Sequence, residues 1–167
     1  MRKYLVVLGL LLSSFVSCAQ KFTVEELIKL YQSDNDFFDT YVLQRGYRFS
    51  SNTKENIEYK YKDNSLFNSI SITYHKDQID TTNFDRNIFW IFDSDTTYLS
   101  FKKELSDLGF KMYYNTSTQD DFDSYHHFLY GNPDLNVKKK LTIELIVGKR
   151  AIYKVPIYYV NLSSNAD

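Results

Sequence analysis

The chain has 167 residues and a formal net charge of −1, which becomes −3 if Arg2 and Lys3 leave with an N-terminal leader. A nucleic-acid binder would carry a basic excess, so that class is excluded, and the length suffices for one domain with a full core. Aromatic residues make up 17% of the chain against only 5 Gly and 2 Pro, a composition that favours strands and excludes disorder.

Met1-Arg2-Lys3 is a positive start, Tyr4 to Val16 an apolar core, and Ser17-Cys18-Ala19 a small-residue exit, which is the order of an export signal. The apolar stretch is shorter than the ~18 residues that a membrane span needs. Cys18 is the only cysteine, so the folded part holds no disulfide and its stability must come from its core. The run Phe15-Val16-Ser17-Cys18 resembles a lipobox, departing at Phe15, where Leu is usual. That resemblance implies diacylglyceryl attachment at Cys18, cleavage just before it, and a membrane partner through the N-terminal lipid. Ordinary signal cleavage after Ala19 is the competing route. Only Ala19 to Phe22 separate Cys18 from the first helix cap, roughly 14 Å of extended chain, so a lipidated domain would be held close to its membrane. The expected location is the cell envelope, membrane-anchored or periplasmic.

Residues 1–19 are therefore read as signal peptide, 20–92 as a first helix-plus-four-strand unit, 93–160 as a second, and 161–167 as a flexible tail. Thr23-Val24-Glu25-Glu26 has the capping-box pattern. Val24, Leu27, Ile28, Leu30 and Tyr31 follow as an apolar helical face, and Ser33-Asp34-Asn35-Asp36 breaks the helix and caps another that ends at Gly46. Those acidic residues lack the later ligands and the glycine of a calcium loop, so capping is the preferred reading. Strands are expected at Tyr47–Ser51, Ile57–Lys62 and Ser69–Tyr74, with a polar loop from His75 to about Arg86. Ile88–Phe92 is apolar throughout, as a central or doubly covered strand would be, with Trp90 in the core.

In the second unit, Asp93-Ser94-Asp95 caps a helix over Thr96–Leu108, and Gly109 ends it. Phe110–Asn115 is expected as a strand with Phe110, Met112 and Tyr114 on one face, then Phe122–Tyr130. Lys138–Val147 and Ala151–Val160 read as a hairpin with Gly148-Lys149-Arg150 as its turn and Pro156 at an edge or bulge. Shifting the first unit by 63 residues lays Phe38 on Phe101, Val42 on Leu105, Gly46 on Gly109 and Arg48 on Lys111. The predicted fold class is α+β: tandem helix-plus-four-strand units forming one antiparallel sheet, with the helices packed on one face.

Two family resemblances arise here. The N-terminal half, from Phe22-Thr23-Val24-Glu25-Glu26-Leu27 to Arg45-Gly46-Tyr47, resembles uncharacterised small bacterial envelope lipoproteins, which imply no activity. In element order alone, the layout is similar to the β-lactamase-inhibitor-protein fold, whose tandem halves form a concave sheet that grips a protein.

The chemistry available is sparse. The single thiol is lost or acylated, so Cys catalysis is excluded, and no serine lies in a G-x-S-x-G elbow. Five scattered glycines build no phosphate cradle. In the run Asp120 to His127, strand alternation sends His126 and His127 to opposite faces. Asp123 and His127 share a face but stand roughly 13 Å apart, so neither a metal nor any other cofactor is assigned. The chain is read as a non-catalytic binding or interaction module rather than an enzyme. Its uncovered sheet face, with Tyr113, Tyr125 and His127, would contact a protein or glycan. The alternative is an envelope hydrolase or small-ligand carrier with a cleft between the halves.

Overall fold

The computed structural model describes residues 21–53, 55–61, 67–76, 84–119, 123–132, 140–150 and 155–165. The leader, Cys18 and residues 120–122 lie outside the described residues. Within them the chain forms helices α1 (Val24–Gln32), α2 (Asn35–Gln44) and α3 (Asp95–Asp107). The strands are β1 (Tyr47–Asn52), β2 (Asn56–Tyr61), β3 (Ser69–Lys76), β4 (Phe84–Phe92), β5 (Lys111–Gln119), β6 (Asp123–Gly131), β7 (Lys140–Arg150) and β8 (Ile157–Asn165). This is an α+β fold with a single eight-stranded antiparallel sheet.

The helix boundaries follow from side chains that satisfy orphan backbone groups. The Glu26 N–H donates to Thr23 Oγ1 at 3.1 Å while the Thr23 N–H donates to Glu26 Oε2 at 2.8 Å. Asp34 caps α2 by accepting from the Phe37 N–H at 2.8 Å. Ser94 caps α3 through the Thr97 N–H, whereas Asp95 accepts from the Tyr158 hydroxyl at 2.8 Å and so ties α3 to β8. Burial and this bond to a carboxylate together push the Tyr158 phenol well above its ordinary range.

α2 and α3 both run into glycines in the left-handed region, Gly46 at φ 87° and Gly109 at φ 79°. A side chain in that conformation costs roughly 1–2 kcal/mol. At Gly46 an added Cβ would also meet the Tyr61 ring at 3.3 Å, while at Gly109 the nearest atom is Asn132 Nδ2 at 3.5 Å. Gly46→Ala should therefore lower the melting temperature more than Gly109→Ala. Equal drops would show that packing against Tyr61 does not matter.

The sheet order is β1-β2-β3-β4-β8-β7-β6-β5, so each half is a meander and the halves join where β4 pairs with β8. The second half retraces the first. Bulges fall between Phe49 and Ser51 in β1 and between Met112 and Tyr114 in β5, at positions that a shift of 63 residues superposes. Phe49, Tyr59, Ile70 and Trp90 form one row across β1 to β4, and Met112, Tyr130, Ile143 and Leu162 form the matching row across β5, β6, β7 and β8. At the centre Trp90 faces Val160 and Leu162 faces Ile88. A twofold axis between Phe89 and Asn161 exchanges those two pairs.

All three helices cover one face, and their apolar residues join the inward rows of the sheet in one core. Trp90 is its centre. The ring lies 5.3 Å from Phe22, 4.2 Å from Phe92 and 6.0 Å from Phe101 of α3, and is fully buried. α1 and α3 meet through Glu104, whose carboxyl accepts from the Val24 and Glu25 N–H groups; burial outweighs these bonds and raises its pKa. The chain enters on this helix-covered side. Phe22 is buried between Tyr47 and Trp90, and Arg45, paired with Glu26, donates from Nη1 to the Lys21 carbonyl at 2.5 Å.

Five sequence expectations need correction. Residues 161–165 are not a tail: β8 continues to Asn165 because Leu162 is fully buried between Ile88 and Ile143. Gly148-Lys149-Arg150 is not a turn but the end of β7, with Gly148 paired to both Tyr125 and Ile157. Pro156 precedes β8, which is central, so the missing N–H lies outside the ladder. The β5 bulge breaks the alternation of Phe110, Met112 and Tyr114: Phe110 is buried, and Tyr114 pairs with Leu129 on the opposite face from Met112. β4 begins at Phe84, inside the expected loop; its central position agrees with its apolar run, and Phe89 and Ile91 are half-exposed on the face away from the helices.

Candidate functional site

No described element covers the face of the sheet turned away from the helices, and strand parity decides what stands on it. On β6 alternation places Tyr125, His127 and Leu129 there. Register then fixes their neighbours. One row reads Tyr114, Leu129, Glu144, Asn161, Phe89, Ser71, Glu58 and Ser51 across all eight strands; the next reads Thr116, His127, Ile146, Tyr159, Ile91, Ser69, Lys60 and Arg48. A shallow concavity of about 340 Å³ lies over the second half, lined by Phe89, Thr118, Tyr125, His127, Ile146 and Tyr159.

Its apolar side is aromatic. The Tyr125 and Tyr159 centroids are 6.4 Å apart with the rings inclined by 57°, and Phe89 lies 5.6 Å from Tyr159. Both tyrosines overhang Gly148: a Cβ there would stand 2.9 Å from Tyr125 Cε1 and 3.1 Å from Tyr159 Cε2. Gly148 is not among the positive-φ glycines, so space rather than backbone conformation requires it.

The polar side is a relay. His127 Nδ1 lies 2.9 Å from Glu144 Oε1, and Asn161 Nδ2 donates to Glu144 Oε2 at 3.3 Å. A carboxylate only accepts, so Nδ1 is the protonated nitrogen. Nε2 is then left 3.4 Å from Thr118 Oγ1. Tyr125 donates its hydroxyl proton to Asp123 at 3.1 Å, away from this relay.

Tyr125 and His127, expected from the sequence, thus stand together, with ring centroids 6.4 Å apart. Tyr113 also lies on the open face, at the β5 bulge, where it covers Gly131, about 20 Å from Tyr125 along β6. It does not join the concavity. His126 points to the other face, where its Nδ1 lies 2.7 Å from Ser117 Oγ. Sequence reasoning missed Phe89, Thr118, Glu144, Ile146, Tyr159 and Asn161. The available signal was parity, which turns Glu144 and Ile146 outward opposite the inward Leu141, Ile143 and Leu145. The concavity is lined by the second half except at Phe89 of β4, which belongs to the first.

The pseudo-twofold supplies an internal control. It carries His127, Glu144, Ile146, Tyr159 and Asn161 onto Asn56, Ser71, Thr73, Asn87 and Phe89. The same architecture is built in the first half with small polar side chains at four of those five positions, so the aromatic and His–Glu set is not a requirement of the fold. No protein-family model, curated protein or solved structure matches this chain.

Proposed function

We propose that the chain is an exported, lipid-anchored envelope protein that acts as a non-catalytic binding module, holding its ligand on the open sheet face of the second half. The observation that carries this reading is the concavity at Tyr125, Tyr159 and His127, where the symmetry-related positions of His127, Glu144, Ile146 and Tyr159 in the first half hold only Asn56, Ser71, Thr73 and Asn87. Anchoring at Cys18 agrees with the geometry of entry. Phe22, four residues after Cys18, is buried on the helix-covered side of the sheet, opposite the concavity.

Photo-cross-linking in cells tests the face. A diazirine amino acid at Thr116 or Leu129, which flank His127 on the open face, should capture an envelope component, while the same probe at Leu99, exposed on α3, should not. Equal capture at both sites, or none at either, overturns the reading. Replacing Cys18→Ser should move the protein from the membrane to the soluble fraction.

One observation favours a hydrolase instead, the order Thr118 hydroxyl, His127 and Glu144 carboxylate, which is that of a nucleophile, base and orienting acid. A bound ligand recovered chemically unchanged supports the module; cleaved ligand that survives intact with Thr118→Ala supports the hydrolase.

A further inference from the structure

Resting on the binding reading of that face, we infer that its ligand is a neutral oligosaccharide, stacked on Tyr125 and Tyr159 and hydrogen-bonded through its hydroxyls to His127 and Thr118. Three features select this chemistry. The tyrosines present aromatic surface whose π faces are electron-rich, and the axial C–H groups of a pyranose carry the complementary partial positive charge. The inclined pair leaves a shallow trough suited to a saccharide rather than a deep slot for an acyl chain.

The polar groups match hydroxyls and little else. Once Nδ1 is committed to Glu144, His127 Nε2 is an acceptor in the neutral ring, and the Thr118 hydroxyl beside it both donates and accepts. A sugar hydroxyl needs this mixture of roles. Among the described residues that line the concavity none is Lys or Arg, which favours an uncharged ligand over a phosphate, sulfate or carboxylate. The carboxylate of Glu144 is engaged on both oxygens, which leaves it positioning His127 rather than attracting a cation.

The test is titration of the purified full-length chain with cellohexaose, chitohexaose and maltohexaose, followed by calorimetry and native mass spectrometry. At least one should bind saturably. Tyr125→Ala and Tyr159→Ala should each weaken it by roughly 10-fold or more, while Tyr125→Phe, which keeps the ring, should stay close to wild type. His127→Gln should reduce affinity less than loss of either ring, and circular dichroism verifies that each variant is folded. Binding that survives removal of both rings, or no binding to any of the three sugars, overturns the inference. A protein cross-linked at Thr116 or Leu129 with no sugar bound would sink the saccharide and leave the face standing; sugar binding insensitive to both tyrosines would sink both.

Discussion

Trp90→Ala is expected to destabilise the fold by about 3–5 kcal/mol, a fall in melting temperature of roughly 10–15 °C for a chain of this size. The indole is fully buried where three pieces of the chain meet: Phe22 from the entry segment, Phe92 from its own strand and Phe101 from the helix of the second half. Truncation opens a cavity that none of these rings can fill without leaving its own row. Trp90→Phe should behave differently. The indole Nε1–H is buried without a hydrogen-bond partner, a liability of about 1–3 kcal/mol that phenylalanine removes while keeping most of the volume. The aromatic replacement should therefore cost much less than the alanine one, measured by chemical denaturation. Comparable losses would mean that volume alone, and not the orphaned N–H, governs the site.

Local signals carried the architecture. Thr23 and Glu26, Asp34 and the two helix-ending glycines each act within a few residues, through backbone groups that must be satisfied or a φ that other residues resist. Alternation in β2 and β7 placed Tyr59, Ile143 and Leu145 inward for the same reason. The errors occurred where a distant partner decided. The segment from Asn161 looks polar and small, yet Leu162 meets both Ile88 and Ile143, and pairing on two sides outweighs composition. Phe110, Met112 and Tyr114 alternate in the sequence, but the bulge reverses the parity after Met112, as the equivalent bulge does in β1.

The site was legible only in its β6 part. Tyr125 and His127 share a face by parity alone, but what stands beside them depends on the register of four other strands, which no short-range pattern encodes. Glu144 reaches His127 from β7, Asn161 reaches Glu144 from β8, and Phe89 comes from the other half of the molecule. A turn at Gly148 would leave the site without a floor, whereas the strand found there sets Gly148 beneath both Tyr125 and Tyr159.

Gly148→Val provides the sharpest check on that floor. Valine suits a strand better than glycine, and the backbone there is not left-handed, so propensity alone predicts a gain of up to about 1 kcal/mol. Against this, the new Cβ would stand 2.9 Å from Tyr125 Cε1 and 3.1 Å from Tyr159 Cε2, and both rings would have to lift. Overpacking of this kind costs about 1–3 kcal/mol, so net destabilisation is expected, with sugar affinity falling as far as in Tyr125→Ala. The decisive measurement is the double variant. Removing the Tyr125 ring vacates the space that the valine needs, so Gly148→Val combined with Tyr125→Ala should be more stable than the sum of the single losses by about 1 kcal/mol or more. A glycine that merely shaped a turn would show no such coupling. Additive losses would mean that the tyrosines do not rest on Gly148, and the inclined aromatic pair on which the ligand assignment stands would have to be abandoned.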